Sequence, residues 1–175
     1  MTNVRRAARF AVTALSTVSL FAAGFADAAV YSNGSKTATF DVTLKIIADC
    51  TIAANPLDFG QSQGVLATNV TVNTSLSVTC TNTTPYNVGL NAGTGTGSTT
   101  SARLMSGTAG NTSTVAFNLY QANGSTNWGN TQGTDTKSGI GSGVAQTLTV
   151  YGVVPAQATP QPDTYKSTIT ATVYF

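Results

Sequence analysis

The alternation of apolar and polar residues between residues 38 and 52 constrains the fold of this chain more than any other feature. Every even-numbered position in that range is apolar: Ala38, Phe40, Val42, Leu44, Ile46, Ala48, Cys50 and Ile52. A period of two is typical of a β-strand with one buried face. Strands usually contain 3–10 residues, whereas this run would extend over roughly 50 Å, too far for a domain of about 150 residues to shelter. We therefore predict that part of the segment pairs with another molecule.

We interpret the run as two strands in one register. The first part, around residues 38–44, would complete a neighbouring molecule, and the second, around residues 46–52, would begin the chain's own sheet. Because neither Gly nor Pro interrupts the run, the joint between the two parts is predicted to be short and stiff. The residues that we expect to pair with a neighbour are Ala38, Phe40, Val42, Leu44 and Ile46.

The first 28 residues have the pattern of an export signal. Three arginines precede an apolar run over residues 10–25, and an Ala-Asp-Ala cleavage site ends at residue 28. Thr and Ser dilute the run, which is shorter than the roughly 20 apolar residues that span a membrane. We therefore predict a signal peptide over residues 1–28, a mature chain that begins at Ala29, and an exported product.

The charge of the predicted mature chain excludes several classes of partner and chemistry. The signal holds three of the eight Lys and Arg residues and one of the six acidic residues, so five of each sign remain. Without a basic stripe, the chain is not expected to bind nucleic acid. It also contains no His and no Glu, which removes the commonest general acids and bases. Asp135 and Asp163 could form a carboxylate pair, but isolated solvated aspartates are commoner in such polar loop sequence. Lys137 and Ser138 are sequence neighbours and would face opposite sides of a strand. We predict no enzymatic activity, no metal and no cofactor.

The two cysteines, Cys50 and Cys80, are predicted to form a structural disulfide. An exported chain favours oxidised cysteines, and both residues fall on the apolar positions of their strands. A metal or redox pair is disfavoured because no His and no C-x-x-C motif accompanies them.

The rest of the chain reads as β-structure. Alternating strand patterns recur over residues 70–80, 86–90, 115–119, 148–154 and 168–175, and no 3.6-residue apolar period occurs beyond the signal. Asn123-Gly124 is a hairpin signal, and Trp128 after it is interpreted as a core aromatic, with an exposed sugar-stacking role as the alternative. Residues 93–101 and 131–143 are rich in Gly, Thr and Ser and are predicted to be loops. We therefore predict one all-β, immunoglobulin-like sandwich over residues 46–175, preceded by an extension over residues 29–45.

The final predicted strand has an apolar face made of Ile169, Ala171, Val173 and Phe175. An immunoglobulin-like sandwich normally has one more strand after this point, and the sequence contains none. A sandwich that lacks its last strand exposes a hydrophobic cleft and unpaired backbone groups. We expect this cleft to accept the extension of a neighbouring copy, and such head-to-tail contacts produce filaments.

Several short motifs follow one another through the mature chain. They are Ala38-Thr39-Phe40-Asp41-Val42, Cys50-Thr51-Ile52, Leu57-Asp58-Phe59-Gly60, Val78-Thr79-Cys80-Thr81, Ala102-Arg103-Leu104-Met105, Leu119-Tyr120, Trp128-Gly129, Thr149-Val150-Tyr151-Gly152, Tyr165 and Thr168 to Phe175. In their order and spacing, the chain resembles the spore coat protein U domain family, which includes major subunits of archaic, Csu-type chaperone–usher pili. The resemblance implies a pilin that polymerises by donor-strand exchange into a surface fibre for adhesion and biofilm formation. It further implies three partners: a periplasmic chaperone, an outer-membrane usher, and identical or homologous pilins. The expected location is the bacterial cell surface, reached through the periplasm.

Two other functions fit the same sequence. One is a spore or cell coat protein that assembles by the same strand exchange into a layer. The other is a self-contained secreted sandwich that binds carbohydrate through its loops, with the N-terminal run as a first edge strand.

Overall fold

The computed structural model describes residues 34–61, 66–122 and 124–175. The predicted signal peptide, residues 1–28, lies outside these residues. The chain divides into two units, Met1–Thr43 and Leu44–Phe175. All the strands belong to the second unit, and the described residues contain no helix. Accordingly, no helix in the described ranges is long and apolar enough to cross a membrane.

Within the described ranges, ten strands form two antiparallel sheets. The strands are β1 (Cys50–Ala54), β2 (Val70–Cys80), β3 (Pro85–Leu90), β4 (Arg103–Gly107), β5 (Thr114–Ala122), β6 (Thr126–Asn127), β7 (Lys137–Ile140), β8 (Gln146–Val154), β9 (Tyr165–Lys166) and β10 (Ala171–Tyr174). The larger sheet has the order β1-β2-β8-β5-β4-β9, with β6 paired to β5, and the smaller has the order β10-β3-β7. The architecture confirms the prediction of an all-β, immunoglobulin-like sandwich.

The inward positions of the predicted strands form a single core between the sheets. Because side chains alternate across a strand, each long strand contributes every second residue. The buried core residues are Leu76, Val78, Cys80, Tyr86, Val88, Leu90, Val115, Phe117, Leu119, Trp128, Val150 and Val154. Trp128 is fully buried, and its indole Nε1 donates to the carbonyl oxygen of Val88 at 2.7 Å. The core interpretation of Trp128 is therefore confirmed.

One predicted loop contains a strand. Residues 137–140 lie within the Gly-rich stretch at 131–143, yet they form β7, which pairs with β3 in the smaller sheet. A Cβ atom at Gly139 would lie 2.3 Å from the ring of Tyr86. Gly139 therefore lets the strand pack on that ring, although a glycine makes the segment look like a loop in the sequence. The other stretch, residues 93–101, contains no strand, as predicted.

The first and the last strand are both shorter than the sequence predicts. The first strand begins at Cys50, and residues 46–49 are exposed without a strand assignment. Its partner strand β2 ends at Cys80, where the chain turns. Residues before Cys50 therefore have no strand to pair with, apart from the backbone hydrogen bond that the Thr81 amide donates to the Asp49 carbonyl oxygen. The final strand is limited to residues 171–174, with Ile169 and Phe175 outside it.

A buried arginine joins the two sheets. Arg103 on β4 is completely buried, and its guanidinium donates to the carbonyl oxygens of Leu90, Asn91, Thr100 and Trp128 at 2.6–2.9 Å. Burial lowers the pKa of Arg103 to about 10, and the negative charge of Asp135 opposes that shift. The guanidinium therefore stays charged at neutral pH, and main-chain carbonyl dipoles replace its hydration shell.

Candidate functional site: an exposed apolar segment and two open strand edges

The even-numbered residues that we predicted to pair with a neighbour are exposed. The exposed fractions are 86% for Phe40, 85% for Val42, 86% for Leu44 and 77% for Ile46, and Ala38 is exposed as well. No helix, strand or turn is assigned to residues 34–49. Isolated exposed apolar side chains are common on soluble proteins, but a contiguous set of this kind marks an interaction surface.

Two edge strands of the sandwich run close to each other without pairing. In the part of the chain that the structure describes, β1 of the larger sheet pairs only with β2, and β10 of the smaller sheet pairs only with β3. The two strands approach within 8 Å between Cα atoms, but no ladder joins them among the described residues. Each therefore presents unpaired backbone N–H and C=O groups along one side, as edge strands do.

Burial falls off from the inner strands towards these two edges. On β2 and β3, the inward residues Val78, Cys80 and Val88 are at most 1% exposed. The inward residues of the edge strands are only half-buried, although they pack against the same core: Cys50 and Ile52 on β1, with Ala171 and Val173 on β10. Ile169 is half-buried beside them, and Phe175 is 59% exposed. The hydrophobic core is therefore incompletely covered along the β1 and β10 edges, which we call the open seam.

The structure contains the predicted disulfide between Cys50 and Cys80. The two residues are directly opposite each other in the β1–β2 ladder. The bond fastens the first residue of the edge strand β1 to the last residue of β2. It therefore holds one wall of the open seam in register at the first residue of β1.

Replacing both Cys50 and Cys80 with serine is expected to lower the free energy of unfolding by roughly 3–4 kcal/mol. The bond closes a loop with a sequence separation of 30 residues, and a cross-link of that length restricts the unfolded chain by about this amount. The measurement is urea denaturation of the two chains under non-reducing conditions. Equal midpoints for the double variant and the parent chain would contradict the prediction.

A depression that the sequence did not indicate lies at the same end of the sandwich. It has a volume of about 630 Å³, and its lining includes Ile46, Ile47, Asp49, Asn82 and Gly143. Ile47 is 67% exposed and the nearby Val144 is 65% exposed. Ile47 falls on an odd position, outside the alternation, so the pattern that identified Ile46 could not identify it.

The catalytic candidates from the sequence do not come together into a reactive group. The Asp135 carboxylate accepts from the backbone N–H of Thr131. The Asp163 carboxylate accepts from the amides of Ala109 and Thr164 and from the side chain of Asn111. Asp135 thus stabilises its own loop, and Asp163 joins its loop to the one at residues 109–111. No three His, Cys, Asp or Glu side chains cluster within the described ranges in a way that could hold a metal ion.

Comparison with known structures supports the fold. The chain is similar to a chain in the crystal structure of the CsuC–CsuE chaperone–tip adhesion subunit pre-assembly complex, from archaic chaperone–usher Csu pili of Acinetobacter baumannii, with 23% identity and a TM-score of 0.55. The match covers 74% of this chain and 40% of that one, so this chain corresponds to less than half of the solved chain.

Comparison with sequence families gives a more specific result. No curated protein matches the chain significantly. The sequence profile of the Spore Coat Protein U domain, however, matches residues 36–172, which include the exposed apolar segment, the disulfide and both strands of the open seam. The chain belongs to the Spore Coat Protein U domain family.

Proposed function

We propose that the protein is a structural pilin, which polymerises head-to-tail when the exposed segment of one copy fills the open seam of the next. The observation that carries the proposal is the open seam itself. It consists of two neighbouring edge strands that do not pair with each other and of the half-covered apolar core beneath them. An inserted strand would pair with their free backbone groups and cover that core, which is the β-strand-addition mode of recognition. Because donor and acceptor surfaces differ, the contact is heterologous and generates an open fibre.

The expected contact energy is sufficient for a stable fibre. Burying the side chains of Phe40, Val42, Leu44 and Ile46 would contribute on the order of 6–12 kcal/mol before ordering costs. Added backbone hydrogen bonds would slow dissociation further. The donor residues would then be Ala38, Phe40, Val42, Leu44 and Ile46, and the acceptor surface would include Ile169, Ala171, Val173 and Phe175.

This assignment divides the mature chain into two functional parts. Residues 29–45 would form the donor extension and residues 46–175 the pilin domain that receives it. The start of β1 at Cys50 leaves residues 46–49 to connect the two parts. Ile46, the first residue of this connection, is exposed like the donor residues before it and would be the last residue to contact the next copy.

The proposed partners and location follow from the family and from the structural relative. An open apolar seam would aggregate in the periplasm unless a chaperone covered it, and the similar Csu chain is described in a complex with a chaperone. An outer-membrane usher and identical or homologous pilins would complete the pathway to the cell surface. There the fibre would support adhesion and biofilm formation. The protein would act as a building block and not as an enzyme.

A coat layer built by the same strand exchange is the second candidate, since the family takes its name from a spore coat protein. Electron microscopy of assembled material separates the two. Thin fibres would support the pilin assignment, and a continuous layer would support the coat.

Gel electrophoresis without boiling tests the proposed polymerisation. Assembled protein should migrate as a ladder of subunit multiples, because the donor strand is held by a buried apolar face and a full backbone ladder. Boiling the same sample in detergent should collapse the ladder to one band. A single monomeric band before boiling would contradict the proposal.

A further inference from the structure

The outer face of the larger sheet carries a compact group of polar and aromatic side chains that strand exchange does not use. In β2, β8 and β5, the residues that point away from the core include Asn73, Tyr151 and Tyr120. Asn73 is directly opposite Tyr151, and Tyr151 is directly opposite Tyr120. Since neighbouring strands are about 4.8 Å apart, these three side chains form a short row across the sheet.

A shallow depression lies beside this row. It has a volume of about 200 Å³ and is bounded on the outer face by Thr71, Asn73, Tyr151 and Val153. In the ladder, Thr71 is opposite Val153 just as Asn73 is opposite Tyr151, so the four side chains form the corners of the depression. Its size suits one sugar ring.

The polar atoms of the row are free for a ligand. Within the described parts of the chain, neither the Asn73 amide nor the phenolic hydroxyls of Tyr120 and Tyr151 form a hydrogen bond. Tyr165 and Tyr174, by contrast, donate their hydroxyls to Gln161 and Asn130. Asn offers both donors and acceptors, and Tyr offers a ring face together with a hydroxyl.

The strands around the depression have no charged residues, which indicates an uncharged ligand. Strands β1, β2, β5 and β8 contain no Lys, Arg, Asp or Glu. An anionic polymer would find no cation on these strands, and a basic peptide would find no carboxylate. A ligand with hydroxyl groups and apolar C–H faces, but without charge, matches an amide beside two phenol rings.

We propose that the row of Asn73, Tyr151 and Tyr120, with the depression beside it, binds neutral polysaccharide. One sugar ring would occupy the depression against the Tyr151 ring, the Asn73 amide would hydrogen-bond its hydroxyls, and Tyr120 would contact the next residue of the glycan. The site belongs to each chain and does not depend on strand exchange. If the chain also forms the fibre proposed above, repetition of the site along it would add avidity.

The test is surface plasmon resonance with the full mature chain immobilised and soluble polysaccharides in flow. The neutral probes are dextran, mannan, xyloglucan and hydroxyethylcellulose, and the anionic comparison is alginate. Binding to at least one neutral probe and none to alginate is expected. No binding to any neutral probe, or binding to alginate alone, would overturn the proposal.

Substitutions locate the site on the sheet. Tyr151→Ala should weaken binding about tenfold, because it removes the ring that contacts the sugar. Asn73→Ala removes an exposed side chain without a bonding partner, so it should weaken binding several-fold with no change in melting temperature. Asn73→Ala therefore still tests the location of the site if Tyr151→Ala does not fold. The matched control is Thr147→Ala, an exposed position further along the same face of β8.

Unchanged affinity in both Tyr151→Ala and Asn73→Ala would overturn the assignment, as would an equal loss in Thr147→Ala. A chain in which the donor residues Phe40 and Val42 are replaced by aspartate tests whether this site is independent of the proposed polymerisation. It should lose its ladder on unboiled gels yet keep the same affinity per chain for the polysaccharide. Loss of that affinity together with the ladder would overturn the claim that each chain carries its own site.

Discussion

A chain in which Phe40 and Val42 are both replaced by aspartate is expected to lose polymerisation completely. In the proposed contact, both side chains enter the apolar seam of the next subunit, where each contributes about 1.5–3 kcal/mol. An unpaired carboxylate in that position instead costs several kcal/mol. The unboiled gel should therefore change from a ladder to a single band of one subunit.

The matched control keeps the charge and changes only the parity. Thr39 and Thr43 flank the same residues, are equally exposed, and would point away from the seam because side chains alternate along a strand. A chain with Thr39→Asp and Thr43→Asp should retain the ladder. If both double variants keep the ladder, or if both lose it, the donor assignment is wrong.

Deleting residues 30–43 tests the same contact without adding charge. The shortened chain keeps β1–β10 and the disulfide, so it should still fold with its chaperone and accept a donor from a full-length copy, but it should donate to none. Fibres should then shorten as the shortened chain is mixed in, because each one ends a fibre. Long fibres assembled from the shortened chain alone would contradict the prediction.

Replacing Arg103 with methionine is expected to cause the largest loss of stability of any single substitution considered. The change removes the donors that serve the carbonyl oxygens of Leu90, Asn91, Thr100 and Trp128. Two of these bonds, to Leu90 and Trp128, are buried, so their acceptors lose a partner that water cannot easily replace. Removing one side of a buried charged network typically costs about 3–5 kcal/mol. For a domain of this size, the melting temperature should fall by roughly 10–15 °C.

Two further variants separate the geometry of the guanidinium from its charge. Arg103→Lys keeps the charge, but a single ammonium cannot reach carbonyl oxygens in four directions. It should therefore recover less than half of the lost stability. Lys166→Met on the short strand β9 removes an exposed cation and should change stability by less than about 0.5 kcal/mol. A denaturation midpoint for Arg103→Met within error of the parent chain would contradict the role assigned to Arg103.

The family motifs around Arg103 acquire a physical meaning only in the folded chain. A Cβ atom at Gly129 would lie 1.9 Å from the carboxylate of Asp135, while the preceding residue Trp128 accepts from Arg103 through its carbonyl oxygen. In the sequence, Arg103 and Trp128 are 25 residues apart, and arginine is a residue type that is mostly exposed to solvent. The burial of Arg103 depends on four carbonyl oxygens that converge only when the two sheets pack.

The sequence alone was sufficient for the all-β class, the inward face of each long strand, the Cys50–Cys80 pairing and the apolar face of residues 38–46. These properties are local or follow from parity, since a period of two determines which side chains share a face. Tertiary structure was needed for the strand at 137–140, whose glycine makes sense only beneath Tyr86, and for the start of β1 at Cys50, which depends on where β2 ends. The sequence predicted an open cleft beside the last strand, but tertiary structure was needed to identify β1 as the edge on its other side and to place Asn73, Tyr151 and Tyr120 in one row. Strand order and register between distant segments decide which edges become neighbours and which side chains stand side by side.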